Sequence, residues 1–222
     1  IDHREIHHPN EIAQNQAYCC TNGLDDPRNS GARIWMHNNF LVERSGKMSK
    51  SSGEFLRLQL LVDKGYHPLA YRMMCLQAHY RSELEFSWEG LQAALTRLKR
   101  MVMDIERHRL NASRQPEGQV DLTLSQVSEA ICDDLNTPRV LVIAESILGM
   151  KGQATDRLNA IALLDDILGL DLLNLTREDL RIRPKDAQIT EEEIEDALAR
   201  RKAARAEKDF ATSDAIRDEL TA

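Results

Sequence analysis

The chain has few of the features that mark secreted or membrane-bound proteins. Aromatic residues make up only 5% of the 222 residues, and its four cysteines show no Cys-x-x-Cys spacing: Cys19, Cys20, Cys75 and Cys132. The first two are adjacent and are poor disulfide partners for each other, so we expect reduced thiols. No apolar run approaches the ~18 residues of a membrane-spanning helix, and no basic-then-apolar leader opens the sequence. These features predict a cytoplasmic protein without membrane association.

Positive charge is scarce in the second half of the chain. The formal net charge is −7, and it is unevenly distributed: residues 1–110 carry +2 and residues 111–222 carry −9. Phosphate contact needs local positive potential rather than a positive total charge. We therefore expect contacts with phosphate mainly in the first half.

One stretch in that half has a specific chemistry. We call it the lysine loop, and it reads Lys47-Met48-Ser49-Lys50-Ser51. Lysine is a compact cation on a flexible stem, so it can follow a phosphate that moves. Over the β- and γ-phosphates of ATP, Lys47 and Lys50 would stabilise charge building up on departing pyrophosphate. The alternative interpretation is a solvated basic turn.

Helical spacing dominates the pattern of apolar residues. We expect a helix from about Asn10 to Cys20 with Asn10 as N-cap, a short strand from Ala32 to Val42, and helices over most of the remaining chain. Thr137 followed by Pro138 is typical of an N-cap and first helical position. Residues 190–193 have the form of a capping box. Short connections between helices favour an antiparallel bundle.

Four further stretches resemble one known family, in the same order and at similar spacing. Residues 7–14 read His-His-Pro-Asn-Glu-Ile-Ala-Gln, and residues 35–41 read Trp-Met-His-Asn-Asn-Phe-Leu. Residues 78–82 read Ala-His-Tyr-Arg-Ser, and residues 135–138 read Leu-Asn-Thr-Pro. The lysine loop is itself a signature of class I aminoacyl-tRNA synthetases. Together these stretches make the chain similar to the C-terminal half of cysteinyl-tRNA synthetases.

The resemblance implies a mainly α fold. The tail of a class I, Rossmann-like catalytic core would be followed by an antiparallel helical bundle like an anticodon-binding domain. The end of the catalytic core with the lysine loop would occupy residues 1–65, connecting helices 66–110, the bundle 111–180 and C-terminal helices 181–222. Independently, the stretches 107–121 and 181–188 are the best candidates for linkers.

The resemblance also implies a reaction: ATP-dependent activation of cysteine, then its transfer to tRNA(Cys). The implied cofactors are ATP with magnesium, and a zinc ion that reads the substrate thiolate. Lys47 and Lys50 would be catalytic. The implied ATP-binding set adds five residues: Met48, Ser49, Ser51, His37 and Asn38. A polar strand end is an equally good interpretation of the last two.

The family's first half carries features that these 222 residues lack. No His-x-Gly-His signature occurs, and the two zinc-binding cysteines have no counterpart. We therefore expect a C-terminal portion that is inactive alone and has an N-terminal catalytic half as its partner. Whether it is a fragment or a natural paralogue stays open. The alternatives are a non-catalytic paralogue that binds tRNA or a protein, and a cysteine ligase acting on a small amine.

Two more groups of candidate residues follow from the resemblance. His7 and Glu11 stand at the family's histidine and glutamate zinc ligands, although Pro9 replaces a glutamate between them. A polar pair at a helix start is the alternative interpretation, and two ligands alone would not hold zinc tightly. The candidates for tRNA contact are His79, Tyr80 and Arg81. For these, packing and surface charge are the alternative.

Overall fold

The computed structural model describes residues 3–19, 30–39, 41–43, 57–112, 123–150 and 154–220. The lysine loop lies outside these ranges, and so does most of the expected linker at 107–121. The predictions for both therefore stay predictions.

The described part of the chain is mostly helical, as expected. A π-helical turn, His3–His7, opens it. The α-helices are α1 (His8–Cys19), α2 (Leu58–Asp63), α3 (Pro68–Leu76), α4 (Trp88–Ala112), α5 (Thr123–Cys132), α6 (Thr137–Gly149), α7 (Ala154–Leu168), α8 (Glu191–Ala206) and α9 (Phe210–Glu219). The strands are β1 (Leu41–Glu43) and β2 (Leu84–Phe86).

The two strands form a small parallel sheet. Leu41 pairs with Leu84, and Glu43 pairs with Phe86. The expected strand over 32–42 was wrong for most of its length, because residues 34–39 are not in a strand. A strand needs a partner along its whole length, and β2 offers three residues.

Two of the expected helix starts were also wrong. α1 begins at His8 rather than after Asn10, because the π-helical turn leads directly into it. α6 is capped by Asn136, whose side chain accepts a hydrogen bond from the Arg139 amide at 3.2 Å. Thr137 is thereby free to donate its hydroxyl to the Leu76 carbonyl at 3.0 Å, which ties α6 to the end of α3. The capping box of Thr190 and Glu193 at the start of α8 is confirmed.

One hydrophobic cluster runs from α2 through α7 and the turns that follow α7, between Leu61 and Leu180. α4 lies at its centre and packs against α3, α6 and α7. α8 and α9 pack against each other, with Ala197, Ala204 and Ile216 buried. The antiparallel order of the bundle and the domain boundaries stay predictions. Among the described helices, none is long and apolar enough to cross a membrane.

Asp165 interrupts the apolar stripe of α7 for a structural reason. One of its carboxylate oxygens accepts a hydrogen bond from the Leu170 amide at 2.9 Å, and the other from the Leu172 amide at 2.6 Å. Burial raises the pKa of this carboxyl group, and the two amides act in the opposite direction. The side chain thus closes the end of α7, where Gly169 has a φ of +60°.

Candidate functional site

The predicted site residues that the structure describes fall into two groups. The first combines the start of α1 with residues 35–39 and contains His7, Glu11, His37 and Asn38. The second is the turn between α3 and β2 and contains His79, Tyr80 and Arg81. The lysine loop follows β1 in sequence and lies outside the described residues.

His7 and Glu11 are brought together at the start of α1. The His7 Nε2 atom lies 3.8 Å from a Glu11 carboxylate oxygen, and both side chains are about half exposed. Ligand atoms on a tetrahedral zinc with bonds of about 2.0–2.1 Å are roughly 3.3 Å apart, so a small adjustment would let this pair share an ion. The described residues contain no group of three or more metal-binding side chains. The spacing of the pair therefore suits half of a zinc site.

We predict that the isolated 222-residue chain holds well under one equivalent of zinc after extensive dialysis, because a structural site needs about four ligands. Metal analysis of the purified chain measures this directly. A full equivalent that disappears in His7→Ala would contradict the prediction and point to further ligands.

His8 connects α1 to residues 35–39. Its Nδ1 lies 3.0 Å from Nδ1 of His37, and its ring packs against Trp35 with centroids 5.1 Å apart. Partial desolvation and then the nearby His37 lower the pKa of His8, so the neutral ring is favoured. Asn38 is exposed and donates to the Asn39 carbonyl at 3.0 Å. His37 thus has a structural contact with α1, and its role in ATP binding stays a prediction.

The second group converges on a residue that follows α5. Asp134 accepts a hydrogen bond from the Tyr80 hydroxyl at 2.6 Å, and from Nε and Nη2 of Arg81 at 2.5 and 3.1 Å. Nε2 of His79 lies 2.9 Å from the Asp134 backbone carbonyl. We call these four residues the Asp134 cluster. It joins the α3–β2 turn to the α5–α6 turn.

The aromatic and cationic side chains of the cluster also stack on one another. The rings of His79 and Tyr80 are stacked with centroids 4.9 Å apart, and the Arg81 guanidinium lies 5.0 Å from the Tyr80 ring centroid. Because a carbonyl oxygen can only accept, the 2.9 Å contact places the His79 proton on Nε2. Nδ1 of His79 then accepts from the Arg81 amide at 3.3 Å. The turn is thus held from within as well as by Asp134.

The α5–α6 turn has an unusual backbone at this point. Asp134 and Leu135 have φ values of +53° and +55°. These values lie in the left-handed region of backbone conformation, which residues other than glycine seldom adopt. Such strain persists where neighbouring contacts determine the conformation. The turn is held by the Asp134 cluster on one side and by the contact between Thr137 and Leu76 on the other.

Asn39 connects the two groups. Its backbone amide donates to the Tyr80 carbonyl at 2.9 Å, and its side-chain amide donates to the Arg81 carbonyl at 3.3 Å. The stretches 35–41, 78–82 and 135–138 are therefore adjacent in the fold, and the contacts of His8 with Trp35 and His37 add the stretch 7–14.

Sequence reasoning missed Asp134. The Leu-Asn-Thr-Pro stretch begins one residue after it, and Asp133-Asp134 looks like ordinary surface charge in an acidic region. A contact between residues 53 positions apart has no signal in a single sequence.

The Asp134 cluster should make the folding stability of the chain depend on pH in a specific way. Hydrogen bonds from Arg81 and then Tyr80 lower the pKa of Asp134 from its usual 3.8 to about 2. Because the pKa of this carboxyl group is lower in the folded than in the unfolded chain, its charged form stabilises the fold at pH values above the unfolded-state pKa. That contribution is lost as pH falls from about 4 to about 2. The difference in urea midpoint between the natural chain and Asp134→Asn should be constant above about pH 5 and shrink over that window. A difference that grows on acidification would contradict the assignment.

Comparison with known proteins adds a second line of evidence. The family model described as the class I (C) tRNA synthetase catalytic domain matches residues 2–96. A cysteine–tRNA ligase of Novosphingobium aromaticivorans is 66% identical over 226 aligned residues, which cover 100% of this chain and 46% of that protein.

Two further relatives are also named as cysteine–tRNA ligases. The cysteine–tRNA ligase of Zymomonas mobilis is 44% identical over 100% of this chain and 49% of its own length. Cysteine–tRNA ligase 1 of Burkholderia lata is 39% identical over 100% of this chain and 43% of its own length. The chain spans about half the length of these curated relatives.

Proposed function

Because the chain is homologous along its whole length to the C-terminal half of cysteine–tRNA ligases, we propose that it forms that part of an enzyme that activates cysteine with ATP and transfers it to tRNA(Cys). The observation that carries the proposal is the match over 100% of the chain at 66% identity, which includes the lysine loop. The contacts of Asn39 with residues 80 and 81 support it, because they join stretches that the resemblance had singled out independently.

Within this function the lysine loop has the central chemical role. Lys47 and Lys50 would meet the β- and γ-phosphates of magnesium-bound ATP, with the loop's serines as hydroxyl donors. Positive charge placed where negative charge develops favours the transition state over the bound substrate. The remaining ATP contacts and most of the cysteine pocket would come from an N-terminal half, and a zinc ion would need two ligands from there besides His7 and Glu11. The reaction belongs in the cytoplasm, where its tRNA substrate is found.

A chimaera tests the proposal directly. In the Novosphingobium relative, the matched C-terminal part is replaced by these 222 residues, and cysteine-dependent ATP–pyrophosphate exchange and cysteinylation of tRNA(Cys) are measured. We expect both activities in the chimaera and neither in the isolated chain, because its 222 residues contain no His-x-Gly-His signature.

Other outcomes would favour the other functions. A folded chimaera that exchanges pyrophosphate but charges an amino sugar instead of tRNA would identify a small-amine ligase. A folded chimaera that binds tRNA without exchange would identify a non-catalytic paralogue.

A further inference from the structure

We propose that Asp134 is a positioning residue for cysteine activation: it anchors residues 79–81, which in turn hold the segment that leads into β1. The inference rests on the proposed function for its catalytic consequence. The mechanical link itself rests only on contacts in this chain.

The first link joins Asp134 to the α3–β2 turn. Both of its carboxylate oxygens are used, by donors from Tyr80 and Arg81. Its backbone carbonyl lies within hydrogen-bonding distance of His79. A paired guanidinium and carboxylate constrain orientation as well as distance. Asp134, a single residue in the α5–α6 turn, thus fixes three consecutive residues in a different part of the chain.

The second link joins that turn to β1. The Tyr80 carbonyl accepts a hydrogen bond from the Asn39 backbone amide, and the Arg81 carbonyl accepts one from the Asn39 side chain. Two residues after Asn39, β1 begins at Leu41, and it pairs in parallel with β2, which begins at Leu84. The contacts of Asn39 with residues 80 and 81 therefore lie two residues before the first strand pair, Leu41 with Leu84, and the Asp134 cluster holds the turn that accepts them. β1 ends at Glu43, four residues before Lys47 in sequence.

This link gives residues 79–81 a role different from direct contact with tRNA. The Arg81 guanidinium already has a carboxylate partner, and the Tyr80 hydroxyl donates to the same carboxylate. The Tyr80 hydroxyl has a single proton to donate, so a phosphate would have to displace Asp134 to accept it, and Asp134 already uses two of the five donors of Arg81. The two roles are separable because formation of the adenylate precedes the step that uses tRNA.

The test uses Asp134→Asn in the chimaera. Asparagine tolerates the left-handed backbone at this position, so the change removes charge without adding strain. We expect kcat for pyrophosphate exchange to fall at least about tenfold, because small displacements of catalytic groups lower reaction rates by at least this much. We expect KM for tRNA(Cys) to stay within about twofold, because binding of tRNA is not altered.

The chain offers a matched control and a coupled partner. Glu145→Gln breaks another two-bonded pair, in which Nε and Nη2 of Arg97 donate to Glu145 at 2.7 and 2.9 Å between α4 and α6. It should leave exchange unchanged. Arg81→Gln should slow exchange as Asp134→Asn does, and the double variant should be no slower than either, because both remove the same contact.

Hydrogen exchange in the isolated 222-residue chain tests the link without any activity. Asp134→Asn should speed exchange of peptides that cover residues 35–43 by at least about tenfold, and Glu145→Gln should not. If neither variant changes those peptides, or if both change them equally, the link is wrong.

Two kinetic outcomes would also overturn the proposal. One is a normal pyrophosphate exchange rate in Asp134→Asn. The other is a raised KM for tRNA(Cys) in Arg81→Gln with normal exchange, which would make residues 79–81 direct tRNA contacts. If the unmutated chimaera is inactive, the proposed function fails, while hydrogen exchange still decides whether Asp134 holds the β1 segment.

Discussion

Lys47→Ala in the chimaera should lower kcat for ATP–pyrophosphate exchange about a hundredfold, with KM for ATP little changed. Charge on the leaving pyrophosphate grows only as the bond breaks, so the lysine should bind the transition state better than the ground state. Loss of one such contact costs on the order of 3 kcal/mol. Lys50→Ala should behave in the same way. Steady-state exchange over a range of ATP concentrations separates kcat from KM.

Lys202→Ala is the matched control for these variants. Lys202 is an exposed lysine on α8, so its removal should leave exchange unchanged. If the two loop variants raise only KM, the lysine loop holds ATP without stabilising the transition state. If neither variant matters, the loop has no catalytic role and a binding function becomes the better account.

The largest expected effect on stability comes from Leu164 in α7. Its side chain is only 1% exposed in the cluster that α7 shares with α4 and α6. Leu164→Ala removes buried apolar surface and leaves a cavity, which together cost about 2–5 kcal/mol. Urea denaturation followed by circular dichroism measures this as a lower midpoint at an unchanged slope.

The neighbouring residue provides the control. Leu163 lies on the same helix and is 45% exposed. Leu163→Ala makes the same chemical change with the same effect on helix propensity, and it should shift stability by less than about 0.5 kcal/mol. Equal losses at the two positions would mean that α7 packs differently from the arrangement described above.

The helical part of the fold could be predicted because its signals are local. The capping box at Thr190 and the helical spacing of apolar residues depend on residues three or four positions apart, and both occur in the structure: α7, for example, buries Ile161, Leu164 and Leu168. Strand β1 overlaps only the last two residues of the strand expected over 32–42. Its true length depends on β2, whose residues lie 43 positions later in the chain.

The candidate site divides in the same way. Residues 7, 11, 37 and 79–81 were found through resemblance. The structure shows that His7 lies close to Glu11 and that residues 80 and 81 accept hydrogen bonds from Asn39. Asp134 could not be found, because nothing in the neighbouring sequence distinguishes it from an ordinary acidic residue on the surface. His8 lies in a stretch that the resemblance had singled out, but its contact with His37, 29 positions away, could not be predicted either. Contacts that depend on tertiary structure leave no periodic trace in one sequence.

The parallel pairing of β1 and β2 has a consequence for the order of folding. Parallel strands need a crossover, and here α2 and α3 lie within it. The chain loses loop-closure entropy before the six paired residues contribute anything, so contacts of this kind form late. The backbone hydrogen bonds within α2 and α3 are local, so these helices can form first. During synthesis, then, β1 leaves the ribosome before β2 does, and the two strands cannot pair until the crossover between them has emerged.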